Sequence, residues 1–201
     1  MSSKKQLSQA VICEAGEKLF ARHGYSAVGI KMILDEVGIP KGSFYHYFKS
    51  KEAFAVAVLE QYFSVRFERF EQALKNNTAS ISSTIIESYD QEIEAMFDRD
   101  DASGCVIGNL FIEANEGLPD LQQKLHDIYE RWFSLFVSLI EQGQNSGEFR
   151  LDVEASSMAS MFWANWEGTV LRFHLVRDKQ QFKKNIQDFV RLMNVPAERG
   201  L

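Results

Sequence analysis

Gly38-Ile39-Pro40 limits what this chain can fold into more than any other three residues, because it forces a sharp turn between two short apolar-periodic segments. Before it, Ile30, Ile33, Leu34 and Val37 recur at offsets of three, four and seven, which is one face of a short helix. Gly38 offers the left-handed conformation that ends such a helix, and Pro40 suits the first turn of the next. That next helix, from Lys41 to Phe48, has Phe44 and Phe48 four apart with Tyr47 beside them, enough to anchor one face. Lys41, Ser43, Tyr45 and His46 are left pointing outward, with Lys49 and Lys51 just beyond. Cations and hydroxyls hold phosphates, flat polar rings suit base edges, and Gly42 lets the backbone come close to a duplex. Two short helices at a steep angle, joined by a tight turn holding Gly, describe a helix-turn-helix. From spacing alone, a plain helical hairpin with a solvated polar face is the alternative.

Charge is distributed as the first reading requires. Residues 1–51 hold eight Lys or Arg against four Asp or Glu, a surplus of +4, which leaves −10 for the rest of a chain whose formal net charge is −6. A basic head on an acidic body confines positive potential to the face that would meet phosphates.

The stretch GYSAVGIKMILDEVGIPKGSFYHYFKSKEAF resembles the amino-terminal DNA-binding domain of the TetR (tetracycline-repressor-like) family of bacterial transcription regulators. The match runs through Gly24-Tyr25, Gly38-Ile39-Pro40-Lys41-Gly42-Ser43, Tyr45-His46-Tyr47-Phe48 and Lys51-Glu52. The resemblance implies a DNA-binding domain over residues 1–51, with the motif at about 29–48 and an extension into a linking helix over 50–76. Residues 52–201 would then be a helical regulatory and dimerisation domain. The DNA-binding residues expected are Lys31, Lys41, Gly42, Ser43, Tyr45, His46, Tyr47 and Lys51. The chain departs from the family at Val28 and Gly29, where Thr or Ser is common, which leaves side-chain capping of the first motif helix open.

With only three prolines, 12 glycines and no sustained strand-type alternation in 201 residues, an all-α fold of about nine helices is expected. The first helix should run from Lys4 to His23 and stop at Gly24. Ser50 should cap a long helix reaching Asn76, with Glu52 in its first turn. Further helices are expected over Ser80–Phe97, about Gly104–Asn115, and Asp120–Asn145 behind Pro119. Asp152 should cap a helix from Val153 to about Val176, and a last helix striped by Phe182, Ile186, Phe189, Val190 and Met193 should end before Pro196. These last two carry more apolar surface than one side of a small bundle needs, which marks an association face. In proteins similar to this one they pair about a two-fold axis, so the resemblance implies a homodimer reading a palindromic operator.

Aromatic and Met side chains spread over the body could line a small-molecule pocket: Met96, Phe111, Tyr129, Trp132, Phe133, Phe162, Trp163 and Trp166. Glu113, Asn115, Asn165, Glu167 or Arg172 could be its polar handles, and plain hydrophobic core is the competing reading. The function the resemblance implies is sequence-specific transcriptional regulation, as a repressor released by a small-molecule inducer. Cys105 raises an alternative on the same scaffold. It follows Ser103-Gly104 at an expected helix start, where unpaired N–H groups favour a thiolate. ASGCVIGNLFIEA also resembles a branch of the family in which some members sense reactive electrophiles through a cysteine at this point, which implies a sensor of electrophiles or oxidants; a buried structural Cys105 is the opposing reading.

Other classes are poorly supplied. No HExxH, nucleophile elbow, phosphate-binding Gly loop or Cys-x-x-Cys is present, and the four histidines are scattered, so neither an enzyme nor a cofactor or metal site is expected. A DNA-architectural protein without a pocket would bind without sequence preference. No run of about 18 apolar residues marks a membrane span, no secretory signal opens the chain, and two cysteines make no disulfide framework, so the cytoplasm is expected.

Overall fold

The computed structural model describes residues 2–76, 80–98, 106–172 and 175–195, and the side chains of residues 2–8 lie outside the description. The described residues form nine helices: α1 (Ser2–Ala27), α2 (Ile30–Val37), α3 (Lys41–Tyr47), α4 (Lys51–Asn76), α5 (Ile81–Asp98), α6 (Val106–Glu113), α7 (Pro119–Asn145), α8 (Ala155–Leu171) and α9 (Lys179–Met193). No strand joins them; one isolated antiparallel bridge pairs Phe149 with Asn194. They gather into two compact units, Met1–Phe67 with Asp101–Ile128 and Glu68–Asp100 with Tyr129–Leu201, so α4 and α7 each have residues in both.

In the first unit α1 does not stop at Gly24. It bends there, with Gly24 at φ 75° and ψ 178°, and resumes to Ala27. The core of this unit centres on Phe54 of α4, which is fully buried. Phe20 of α1, Phe44 of α3 and Phe48 just after α3 lie 5.6, 5.5 and 4.9 Å from it between ring centroids. Gly16 lets α1 approach, since a Cβ there would stand 2.3 Å from the Phe54 ring. Ser50 caps α4 as its sequence predicts, accepting the Ala53 N–H at 3.0 Å. Glu52, in the first turn of α4, accepts the N–H groups of Asp120 and Leu121 at the start of α7 (2.9 and 3.2 Å).

In the second unit Phe162 of α8 is almost fully buried. It stacks on Phe136 of α7 at 4.8 Å and meets Tyr89 of α5 edge-on at 4.9 Å. Between α8 and α9 the Asn185 amide donates to Thr169 Oγ1 at 2.5 Å, giving that apolar packing a polar anchor. Lys179 and Lys183 of α9 both pair with Glu94 of α5, the second at 2.6 Å. Glu148, in the turn after α7, accepts the N–H groups of Ile81 and Ser82 at the start of α5 (3.0 and 2.7 Å).

Two boundaries differ from expectation in this unit. Asp152 does not cap α8. Its carboxylate takes the Arg150 guanidinium instead, with Nε at 2.6 Å, and the helix begins at Ala155 behind Glu154, which makes no side-chain cap. The far end of α8 is Leu171, short of Val176, and Asp178 caps α9 by accepting the Gln181 N–H at 3.1 Å.

Candidate nucleic-acid interface

The turn between α2 and α3 is built as Gly38 and Pro40 require. Gly38 lies at φ 67°, the Ile39 N–H returns to the Leu34 carbonyl at 3.2 Å, and Pro40 stands immediately before α3 at φ −65°. Gly29 precedes α2 with no side-chain cap, in keeping with the missing Thr or Ser. Ile33 and Leu34 are buried under α2, and Phe44 is fully buried under α3, touching Phe48 at 5.4 Å between ring centroids. Seven residues of helix have little stability of their own, so α3 holds its orientation through these rings.

Burying Phe44 and Phe48 turns the opposite side of α3 to solvent. Lys41, Gly42, Tyr45 and His46 are exposed there, Tyr45 by 52%, while Ser43 and Tyr47 are half-buried at the margin. Lys31 is exposed on α2, with Met32 beside it at 39%. The Tyr45 ring lies edge-on to Phe44 at 5.5 Å, and His46 and Tyr47 meet edge-on at 5.3 Å, so each polar ring packs against a neighbouring ring. Lys51 is half-buried. Its ammonium lies 4.2 Å from the centre of the Tyr25 ring and 3.5 Å from the Ser26 carbonyl, so part of its charge braces the entry to the motif. Burial lowers the Lys51 pKa, with Glu113 opposing the shift.

Glu113 plays a part in this unit that its sequence gives no sign of. Its carboxylate, on α6, accepts the N–H groups of both Tyr25 and Ser26 at 2.7 Å. One turn earlier on α6, Asn109 donates to the carbonyls of Ala21 (2.6 Å) and Phe20 (3.3 Å). Burial opposes ionisation of Glu113, but hydrogen bonds from Ser26 and Tyr25 and the Lys51 charge outweigh it and hold its pKa below the ordinary value.

The residues expected to line an effector pocket divide. Met96 and Phe162 are buried core of the second unit. Trp166 meets Tyr89 at 4.7 Å and Trp132 meets Phe70 at 5.1 Å, both half-buried at the edge of that core. Tyr129, Phe133 and Trp163 form a separate half-exposed cluster, with Tyr129 5.7 Å from each of the other two rings. Phe111 belongs to the first unit. Phe70 and Phe136 join the aromatic core from the apolar stripes that helical spacing gives α4 and α7, and Tyr89 of α5 joins it without any such mark in the sequence.

Of the polar handles, Glu113 is taken up as described. Asn115 closes its own turn through the Gly117 N–H (2.9 Å), and Asn165 lies against Asn185 (3.3 Å). Cys105 lies outside the described residues. Cys13 is buried in α1, and burial together with the Glu14 charge pushes its thiol up to about 12. Among the described residues no cluster of His, Cys, Asp and Glu is placed to hold a metal ion, and no helix is long and apolar enough to cross a membrane.

Comparison with known proteins agrees with this geometry at both ends of the chain. A family model described as bacterial regulatory proteins, tetR family, matches residues 12–58, and one described as the tetracyclin repressor-like C-terminal domain matches residues 83–189. The transcriptional repressor DhaR of Mycobacterium sp. (strain GP1) is 30% identical over 169 residues, 84% of this chain and 83% of that protein. A crystal structure of a TetR regulatory protein from Rhodobacter sphaeroides superposes with a TM-score of 0.84 at 29% identity, covering 93% of this chain and 99% of that one. The reduced form of Escherichia coli NemR superposes with a TM-score of 0.80 at 25% identity, covering 94% and 98%. With a matched head, a matched body and these relatives spanning most of its length, the chain belongs to the TetR family of bacterial transcriptional regulators.

Proposed function

We propose that this regulator is a homodimeric repressor that grips a palindromic operator with the exposed side of α3 and lets go when a small molecule binds its body. The observation that carries the reading is the pairing of a buried Phe44 with exposed Lys41, Tyr45 and His46 on one short helix. Lys31, Lys41, Tyr45, Tyr47 and Lys51 suit phosphates, Gly42 allows close approach, and Ser43 and His46 suit base edges. The repressor assignment is supported by DhaR, which carries that description.

Two-fold pairing is supported by the apolar residues that α8 and α9 leave exposed, Met161, Leu171 and Leu192 among them, with Leu175 beyond the end of α8. Two heads on one axis would address successive major grooves, with half-sites about one turn of DNA apart. Effector binding is assigned to the aromatic residues of the second unit. Trp132 and Trp166 border its core, and the half-exposed Tyr129, Phe133 and Trp163 offer ring faces to a flat apolar molecule. The effector would act by favouring a body state whose heads no longer match the groove spacing.

The test uses a DNA fragment selected by the wild-type protein from a random library. A palindromic consensus bound by a dimer is the expected outcome. Recovery of sequences without two-fold symmetry would overturn the dimeric operator reading.

A further inference from the structure

The bend at Gly24 breaks the regular course of α1, and side chains of α6 bind backbone groups on both sides of it. A helix pairs each N–H with the carbonyl four residues earlier, and a non-helical residue in mid-chain interrupts that ladder. Here the groups at the interruption are taken up by one face of α6. Asn109 gives its amide to the Ala21 and Phe20 carbonyls, and Glu113, four residues on and so on the same face, takes the Tyr25 and Ser26 N–H groups. A donor side chain therefore meets carbonyl acceptors before the bend, and a carboxylate meets N–H donors after it. Gly24 itself leaves the room: a Cβ built there would stand 1.9 Å from Glu113 Oε1, and its φ of 75° disfavours any other residue. Lys51 closes the arrangement from α4, reaching the Ser26 carbonyl and covering the Tyr25 ring.

We propose that Glu113 is a positioning residue for operator binding: by holding Tyr25 and Ser26 across the Gly24 bend, its carboxylate fixes the direction in which α2 and α3 leave α1. The inference rests on α3 being the DNA-contacting helix. Only two residues, Val28 and Gly29, separate Ala27 from α2, so the set of the bend is handed on to the motif with little slack. Asn109 assists by fixing the α1 side. A regulator with the bend unlatched keeps its DNA-contacting side chains and loses their preset orientation, so each binding event must select the competent arrangement.

That distinction gives the test its form. Removing a cation that touches a phosphate reduces the slope of log Kd against log salt, whereas loss of orientation weakens binding at every salt concentration without changing the slope. Glu113→Ala, Glu113→Gln and Lys41→Ala are measured by fluorescence anisotropy on the fragment selected by the wild-type protein. Circular dichroism and sedimentation monitor fold and assembly, and amide exchange is followed at Tyr25 and Ser26. Two charge-assisted hydrogen bonds are at stake, so Glu113→Ala should weaken binding by about tenfold or more, as a parallel offset. Glu113→Gln keeps one acceptor oxygen and should fall between it and the wild type, with faster exchange at Tyr25 and Ser26. If the alanine variant folds poorly, the glutamine variant decides alone. Wild-type affinity in Glu113→Gln together with accelerated exchange at Tyr25 and Ser26, or a reduced salt slope in Glu113→Ala, would overturn the proposal. Lys41→Ala with unchanged affinity and slope would instead remove the DNA-contacting reading of α3.

Discussion

Lys41 and Tyr45 stand four apart on the exposed side of α3, one at its start and one a turn later. Each should contribute a phosphate contact. Replacing either with Ala should weaken operator binding across all sequences, and for Lys41 the salt slope should fall by about one. Ser43→Ala and His46→Ala should change which bases are preferred at one or two positions, read by repeating the selection with each variant. Equal consensus sequences from wild type and both variants would move base reading elsewhere. The same scale separates the cysteines. Cys13, with its thiol raised to about 12, should resist alkylation in the native protein, so any rapid labelling belongs to Cys105 and should vanish in Cys105→Ser. The outward residues of α3 could be read from the sequence because burying Phe44 and Phe48 leaves a seven-residue helix one free side. Glu113 could not be read that way. Its partners are backbone N–H groups, which nearly every residue type carries, and Tyr25 lies 88 residues earlier in the chain.

Helix ends divide along the same line. Gly38, Pro40 and Ser50 act on their own neighbours and mark their boundaries as their chemistry predicts. Asp152 departs from its expected place as a cap because Arg150 competes for its carboxylate, and a bidentate guanidinium contact outweighs a single cap bond. The start of α5 depends on Glu148, which arrives from the far end of α7. Burial works against the ionised form of Glu148, but donors from Ser82, Ile81 and Ser80 prevail and hold its pKa below the ordinary value. A carboxyl whose pKa is lowered on folding contributes stability that is fully present above its ordinary value and fades as pH falls through the lowered one. Glu148→Gln should therefore unfold at a lower temperature than the wild type at neutral pH, and the gap should narrow below about pH 4.5. A gap constant from neutral pH down into the acid range, followed by thermal melts, would deny the carboxylate that part. Packing is tested at the same scale by Phe162→Ala, which removes a ring lying on Phe136 and Tyr89 and should cost about 3–5 kcal/mol in chemical denaturation.

At the scale of the whole molecule, association and modularity both follow from what each unit leaves open. Leu171 and Leu175 are 65% and 86% exposed, whereas Val170 is buried within its own unit and Phe189 packs on Phe162 at 5.8 Å. Leu171→Asp should therefore give a folded monomer with weakened operator binding, seen by sedimentation velocity at micromolar concentration. Val170→Asp should unfold the protein. A Leu171→Asp dimer as tight as the wild type would place the interface elsewhere. The bend at Gly24 has a further consequence, for recombination between relatives. Because Asn109 and Glu113 bind backbone groups of α1 on both sides of the bend, the DNA-reading specificity of this protein should not be transplantable as its first 51 or 67 residues alone. A chimera joined at either point should inherit a foreign α6 with no matching donor and acceptor, and should read its operator weakly. Carrying residues 106–113 along with the head should restore it, so inheritance of specificity in such hybrids would follow hydrogen-bonding rather than chain order.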